Sequence, residues 1–416
     1  MWTMVSLARK NLLKDLPRFL VAQAGIMFAV SLVTIQTGIL KGFTRSTTLL
    51  IDNSAADIWV ASENIVNFEL TEPFPYVQVQ RAQSIEGVAR AEALIMGSGR
   101  WYADGNLTTL RVFGFAPNGQ LFRPGEVSDT TLKALSAPYS ALIDRTNMRS
   151  FRIDGVGDTA RIRQLPVMVV GLTRDTQSLV SSKFVFTSLL NANAYISSGF
   201  SAGLTCQLGN GDITCVNAYQ RDPDAASAEV GDPEPLSSDS PVTYILIKAE
   251  PGENLQILKQ RIESSLSGTK AFTKDELINI TQSYWQNRTG IGFILGLGAI
   301  VGVIVGMVVV AQILHTSVSE NLRQFGTLKA MGASDWDIYS VILEQSLWMA
   351  VLGYVPGLLL CWGIGTWTAA TQGIVVLITP LSAFGVFGIT VVMCVGAAVF
   401  AIQKVTRVDP GIVFKA

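Results

Sequence analysis

Hydrophobic positions in this chain pool into three long charge-free runs. Residues 19–40 (FLVAQAGIMFAVSLVTIQTGIL) carry no charged side chain, nor do 289–314 or the whole of 345–403. A helix needs about 20 apolar residues to cross about 30 Å of hydrocarbon. The first two runs each hold one span. The third is too long for one, and residues 366–373, with their Thr, Ala, Gln and Gly, divide it. The pattern predicts spans at 19–41, 289–314, 342–366 and 374–403, since helices of a soluble core seldom go this long without charge.

The stretch 42–288 has a different rhythm. Strand-like runs occur at 57–61, 88–96, 108–115, 161–172, 183–187 and 242–248. The last leads through Pro-Gly-Glu-Asn to Leu255, Leu258, Ile262 and Leu266, which share one helical face. The stretch 77–85 followed by another strand mirrors this near the beginning. The two ends are therefore expected to build a small α+β layer, with a β-rich lobe inserted at about 120–240. Residues 221–241 are acidic, Pro-rich and poor in large apolar side chains, which predicts a mobile loop. No Asp-x-Asp-x-Asp-Gly order supports Ca²⁺ binding there.

Composition narrows the function. Only 15% of residues are charged, against roughly a quarter in soluble domains. With 31 Lys+Arg against 32 Asp+Glu, the chain lacks the basic footprint of nucleic-acid binding. Its one histidine, His315, excludes a multi-histidine metal site, and no catalytic or metal-binding residue is proposed. Arg9, Lys10, Lys14 and Arg18, Arg323 and Lys329, and Lys404, Arg407 and Lys415 place both termini and the 315–341 loop on the cytoplasmic side. The segment 42–288 then lies outside, with Lys41 and Arg45 as a mild dissent. Ala22-Gln23-Ala24 comes too early for a cleavage site, so the first span reads as an uncleaved anchor.

Cysteines add a local constraint. Asn210-Gly211 is a strong hairpin turn signal, and pairing about it sets Cys206 opposite Cys215 in a non-hydrogen-bonded position, about 4.5 Å apart at Cα. A disulfide is expected, consistent with an oxidising compartment. Free thiols or half a metal site are the alternatives. Cys361 and Cys394 fall within spans, as packing residues.

Two cytoplasmic features follow. Trp2, Val5, Ala8, Leu12 and Leu16 line one side of residues 1–18, a surface-lying amphipathic helix or a basic topogenic flank. In 315–341, Leu322, Phe325, Leu328 and Met331 recur every three residues. Gly332-Ala333-Ser334 breaks the helix, and Ser334 can cap a new one at Asp335. This apolar side predicts a docking helix.

The same residues carry a family resemblance. ENLRQFGTLKAMGAS at 320–334, with Glu344 at the start of the next span, resembles the signature of MacB/FtsX-like ABC-transporter permeases. One span, a large outer domain and three further spans match that layout. LVAQAGIMFAV, LRVFGFAP, Gly353-Tyr-Val-Pro-Gly357, Met393-Cys394 and the closing VDPGIVF are similar to DevC-type permeases. The likeness is weak across 120–240.

The resemblance implies a bacterial inner-membrane permease of an ABC exporter that transmits motion of a cytoplasmic ATPase to the periplasmic domain, without passing substrate through the bilayer. Leu322, Arg323, Phe325, Leu328, Lys329, Met331 and Gly332 would dock the ATPase, and Glu344 is a candidate at the membrane edge or an interfacial carboxylate still in water. No Gly-x-x-x-x-Gly-Lys-Ser/Thr loop occurs, so ATP-Mg is expected on a separate chain and no cofactor on this one. An adaptor protein and an outer-membrane duct are further implied partners, beside membrane lipids. Lipoprotein release, or FtsX-like control of cell-wall hydrolases, are the alternative functions. Gly292 and Gly296, and Gly298, Gly302 and Gly306, form ridges that suit a homodimer or packing within one protomer.

Overall fold

The computed structural model describes residues 16–176, 181–198, 203–209, 212–218, 231–320, 327, 331–332, 334–372 and 376–405, with backbone only for 203–218. The expected surface helix lies almost wholly outside these residues, as do the Asn210-Gly211 turn and the first half of 221–241. The chain forms two compact units, Met1–Phe43 with Thr289–Ala416, and Thr44–Arg288.

α1 (Leu16–Asp52) contributes residues to both. It outlasts the expected span because Phe43, Thr47, Leu50 and Ile51 keep a buried side at helical spacing after the charge-free run ends.

The second unit continues with β1 (Ile58–Ser62), β2 (Phe74–Pro75), α2 (Val77–Gln83) and a long hairpin of β3 (Val88–Ala103) and β4 (Asn106–Phe115). Next come α3 (Asp129–Ala134), β5 (Ser140–Asp144), α4 (Met148–Phe151), β6 (Thr159–Ile162), β7 (Leu165–Thr173), β8 (Lys183–Ser188) and α5 (Leu189–Ser197). After β9 (Gly203–Gly209) and β10 (Asp212–Ala218) the chain returns through β11 (Pro241–Val242), β12 (Tyr244–Ala249), α6 (Leu255–Ser265), β13 (Thr269–Thr273) and α7 (Lys274–Thr289).

One sheet runs in the order β13-β1-β12-β3-β4-β8-β5-β7-β6. Its first strands come from the two ends of the segment, as the repeated strand and helix patterns predict. α6 starts at Asn254, whose side chain accepts from the Gln256 and Ile257 amides, and it buries Leu258 and Ile262. The middle is not a separate insertion. β3 and β4 run on past the expected strand ends, and Trp101 opposite Ile162 with Tyr102 opposite Arg161 closes β3, β4, β8, β5, β7 and β6 into a ring. Lobe and layer thus share one hairpin.

Glycines at β3 and β4 make this packing possible. A Cβ at Gly97 would stand 2.5 Å from Ile196 of α5. Trp101, Leu110, Val112, Ile162, Val167 and Val169 join the core on one face. Trp59, Phe68, Phe113, Phe184, Phe186 and Tyr244 form an aromatic core on the other. The strand expected at 161–172 is a hairpin instead: Arg163 takes φ +55, and its guanidinium donates to the Ile196 and Ser98 carbonyls at 2.7 and 3.0 Å. Its alternating polarity continues through the turn, which hides it from a pattern reading.

Within the aromatic core, the Tyr244 hydroxyl donates to the Phe68 carbonyl at 2.7 Å, and the Phe68 amide donates to Thr281 Oγ1 of α7 at 3.2 Å. Next to it, Glu69 is buried, accepts from Ser181 and lies 3.4 Å from Arg111. Burial raises the Glu69 pKa above the ordinary carboxylate value, with Ser181 and Arg111 opposing that rise.

Two further points bear on expectation. β9 and β10 pair antiparallel with Cys206 opposite Cys215. Residues 231–241, expected to be mobile, are tied down: the Tyr139 hydroxyl donates to Gly231 at 2.7 Å, and the Val77 and Tyr76 amides donate to Ser238 and Ser240.

The first unit holds the remaining helices, α8 (Ile291–Glu320), α9 (Asp335–Gln372) and α10 (Pro380–Val405). Among the described residues, these and part of α1 are four helices long and apolar enough to cross a membrane: Phe19–Ser46, Ile291–Glu320, Ile338–Thr368 and Pro380–Ile402. The loop expected at 315–341 is shorter, because Val310, Leu314 and Val318 keep α8 packed to its end. α10 starts six residues later than expected. Thr379 and Ser382 exchange backbone-to-side-chain hydrogen bonds of 2.9 and 3.2 Å around Pro380, a reciprocal cap.

Candidate functional site

The small residues of the spans show how the bundle is built. A Cβ at Gly302 would stand 2.6 Å from Leu32, and one at Gly306 2.5 Å from Met393 Sδ and 2.6 Å from Ala29 Cβ. Gly298 meets Gln36. Partner numbers fall as glycine numbers rise, so α8 runs antiparallel to α1. This corrects the dimer reading of Gly298, Gly302 and Gly306: bare backbone lets helices approach closely, and here the approach is made within the chain.

α9 runs parallel to α1. Gly353 meets Ile26, and Gly357 meets Val30 and the Met27 carbonyl. The Ser31 hydroxyl donates to the Gly357 carbonyl at 3.4 Å. Between the two glycines, Tyr354 donates to the Ala383 carbonyl of α10 at 2.8 Å and meets Phe387 edge-on. The Gly353-Tyr-Val-Pro-Gly357 motif is thus a junction of three helices. Cys361 and Cys394 are buried in the bundle.

These directions put the junction of α8 with α9 and the junction of α9 with α10 at opposite ends of α1. At the latter, the Leu377 amide donates to the Gly38 carbonyl at 3.1 Å, and Lys41 donates to Thr379 Oγ1 at 3.4 Å. Lys41, out of place by the loop-charge rule, has a local partner.

The segment 321–334, which joins α8 to α9, is the candidate site. Its helical residue Thr327 accepts from the Met331 amide at 3.0 Å, and Gly332 then takes φ +96, a conformation that stops the helix and favours glycine. The Ser334 carbonyl accepts from Ile338 at 3.4 Å, opening α9 where the sequence places it. Leu322, Arg323, Phe325, Leu328 and Lys329 lie outside the described residues. Met331 and Trp336 flank the turn, each 72% exposed. Trp336 is a candidate that the three-residue periodicity passed over, although a tryptophan in the first turn after a capping serine is a readable signal. Glu344 is not at the start of its helix but half-buried in the second turn of the candidate span.

Residues 19–265 match the MacB-like periplasmic core domain, more than half of the chain. The chain belongs to the MacB/FtsX-like permease family. Residues 296–410 match the FtsX-like permease C-terminal domain, which covers α9 and α10 and most of α8. With its four apolar helices, this MacB/FtsX-like permease is a multi-pass membrane protein whose α+β periplasmic domain is inserted between the first and second.

The macrolide export ATP-binding/permease protein MacB of Hyphomonas neptunium is 29% identical over 143 residues, 34% of this chain and 22% of that protein. The MacB of Burkholderia cenocepacia is 23% identical over 254 residues, 60% of this chain and 32% of that protein. The chain thus spans about a third or less of the length of these curated relatives. The solved periplasmic region of MacB from Actinobacillus actinomycetemcomitans is similar over 56% of this chain and 94% of that structure, with 10% identity and a TM-score of 0.34.

Proposed function

We propose that this chain is the permease of a bacterial ABC exporter, seated in the inner membrane with the 321–334 turn on the cytoplasmic side and the Thr44–Arg288 unit outside. The reading rests chiefly on one observation: at the junction of α8 and α9, at one end of a glycine-packed bundle, apolar Met331 and Trp336 are exposed. Large apolar side chains at such a place suit a groove on a partner, where they dominate binding. The export names of the relatives agree with this role.

ATP binding and hydrolysis then belong to a partner ATPase, whose closure moves the turn and, through the spans, the outer unit. Mechanotransmission of this kind needs no substrate path through the bilayer. A homodimer is proposed through the open side of α8, where Phe293, Leu297, Ile300, Ile304 and Val308 are exposed and a Cβ at Gly292 or Gly296 would meet nothing within 4 Å. Purification of the full chain from its native membrane tests the reading: an ABC ATPase retained in stoichiometric amount supports it, and a preparation that never retains one contradicts it.

A further inference from the structure

The ring of strands has an uncovered outer side. Leu107 stands opposite Tyr102, Tyr102 opposite Arg161, and Arg161 opposite Pro166, a single row across β4, β3, β6 and β7. Opposed residues of antiparallel neighbours share a face. Rows on either side add Arg100 opposite Thr109 and Thr159 opposite Met168. All eight are exposed, Leu107 at 60% and Tyr102 at 48%.

The composition of this face is unlike ordinary protein surface. Beside two threonines it offers tyrosine, methionine, arginine, leucine and proline; the strands contribute no Lys, Asp or Glu to the three rows, and exposed Asp104 of the β3–β4 turn borders the row of Thr159. Aromatic residues, Met and Arg are enriched in protein interfaces, and Lys, Glu and Asp are depleted. The charge carried by its strand residues has one sign. Among the described residues, Arg100 and Arg161 enter no ion pair, whereas Arg111 and Arg90 do. Arg163, at the turn beside them, spends its guanidinium on two carbonyls; burial and then the Arg100 charge lower its pKa.

We infer that this face docks a separate protein whose contacting segment is acidic at two points and apolar between them. The inference rests on the exporter reading, in which the Thr44–Arg288 unit meets partners outside the membrane. Charge complementarity selects the occupant. A second copy in a two-fold contact would bring the same surface against itself and set arginines near arginines. Tyr102 and Leu107 supply the apolar centre, while Arg100 and Arg161 fix register at its edges.

The test is photo-crosslinking in living cells from the full chain, with a benzophenone side chain at Tyr102 or Leu107. The expected result is an adduct with a different protein whose crosslinked peptide contains Asp or Glu. Arg100→Glu with Arg161→Glu should lower the adduct about tenfold, and Lys at the acidic positions of that peptide should restore it. Arg100→Gln with Arg161→Gln, which adds no negative charge, should give an intermediate loss and guards against a misfolded reversal variant. Adducts confined to a second copy or to lipid, no adduct at either position, or an adduct indifferent to the reversal would overturn the inference. Retention of an ABC ATPase by the same variants separates the two readings, because this face is distinct from the 321–334 turn.

Discussion

Gly306 of α8 and Ala29 of α1 lie so close that a Cβ on the glycine would stand 2.6 Å from the alanine methyl. Met393 Sδ closes the same space from α10 at 2.5 Å. No rotamer change frees a site pressed from two helices.

Gly306→Leu is therefore expected to destabilise the single-chain bundle, by about 1–3 kcal/mol or more, as overpacking does. Gly296→Leu, which meets nothing within 4 Å, should leave it unchanged. Thermal unfolding of monomer in detergent measures both. Equal melting of the two variants would show that the ridge is not packed within the chain.

The buried carboxyl of Glu69 gives a pH signature. Its folded pKa is raised above the unfolded value, so its favourable contribution is full below the unfolded pKa and is lost as pH rises through the folded one. Glu69→Gln removes the ionisation. The variant should gain stability relative to the parent as pH goes from about 4 to about 7, followed by unfolding of the full chain in detergent. A difference constant with pH would mean that Ser181 and Arg111 cancel the effect of burial, and one that moves the other way that they outweigh it.

Cys206 and Cys215 are directly opposed in the β9–β10 register, and a disulfide joining them is expected in protein recovered from the envelope. Intact mass without reductant should be lighter by two hydrogen atoms than after reduction. Alkylation of both thiols without prior reduction would disprove the bond.

Much of this architecture is legible in the sequence because its largest signals are one-dimensional. Charge-free runs locate the spans, and Leu255, Leu258 and Ile262 mark α6 by spacing alone. Cys206 and Cys215 are opposed as the Asn210-Gly211 signal predicts, a signal that sets register locally. What escapes depends on distant partners. The sharing of β3 between layer and ring rests on Trp101 meeting Ile162, which no local pattern encodes. Gly302 has the same sequence signature whether it faces Leu32 of its own chain or a second copy. The start of α10 was readable in Thr379-Pro380-Leu381-Ser382, but hydropathy alone overruns it. Trp336 lies beyond Gly332 and outside the apolar three-residue repeat, so periodicity does not mark it.

Coupling through the 321–334 segment makes ATPase retention by the assembled complex depend on its apolar side chains. A variant of the full chain with Phe325→Ala, Leu328→Ala and Trp336→Ala should retain at least about tenfold less ATPase than the parent, since truncated anchor residues dominate such interfaces. Its Thr44–Arg288 unit should unfold at the same temperature as in the parent. Parental ATPase retention and parental ATP-driven export in that variant would remove this segment from the coupling.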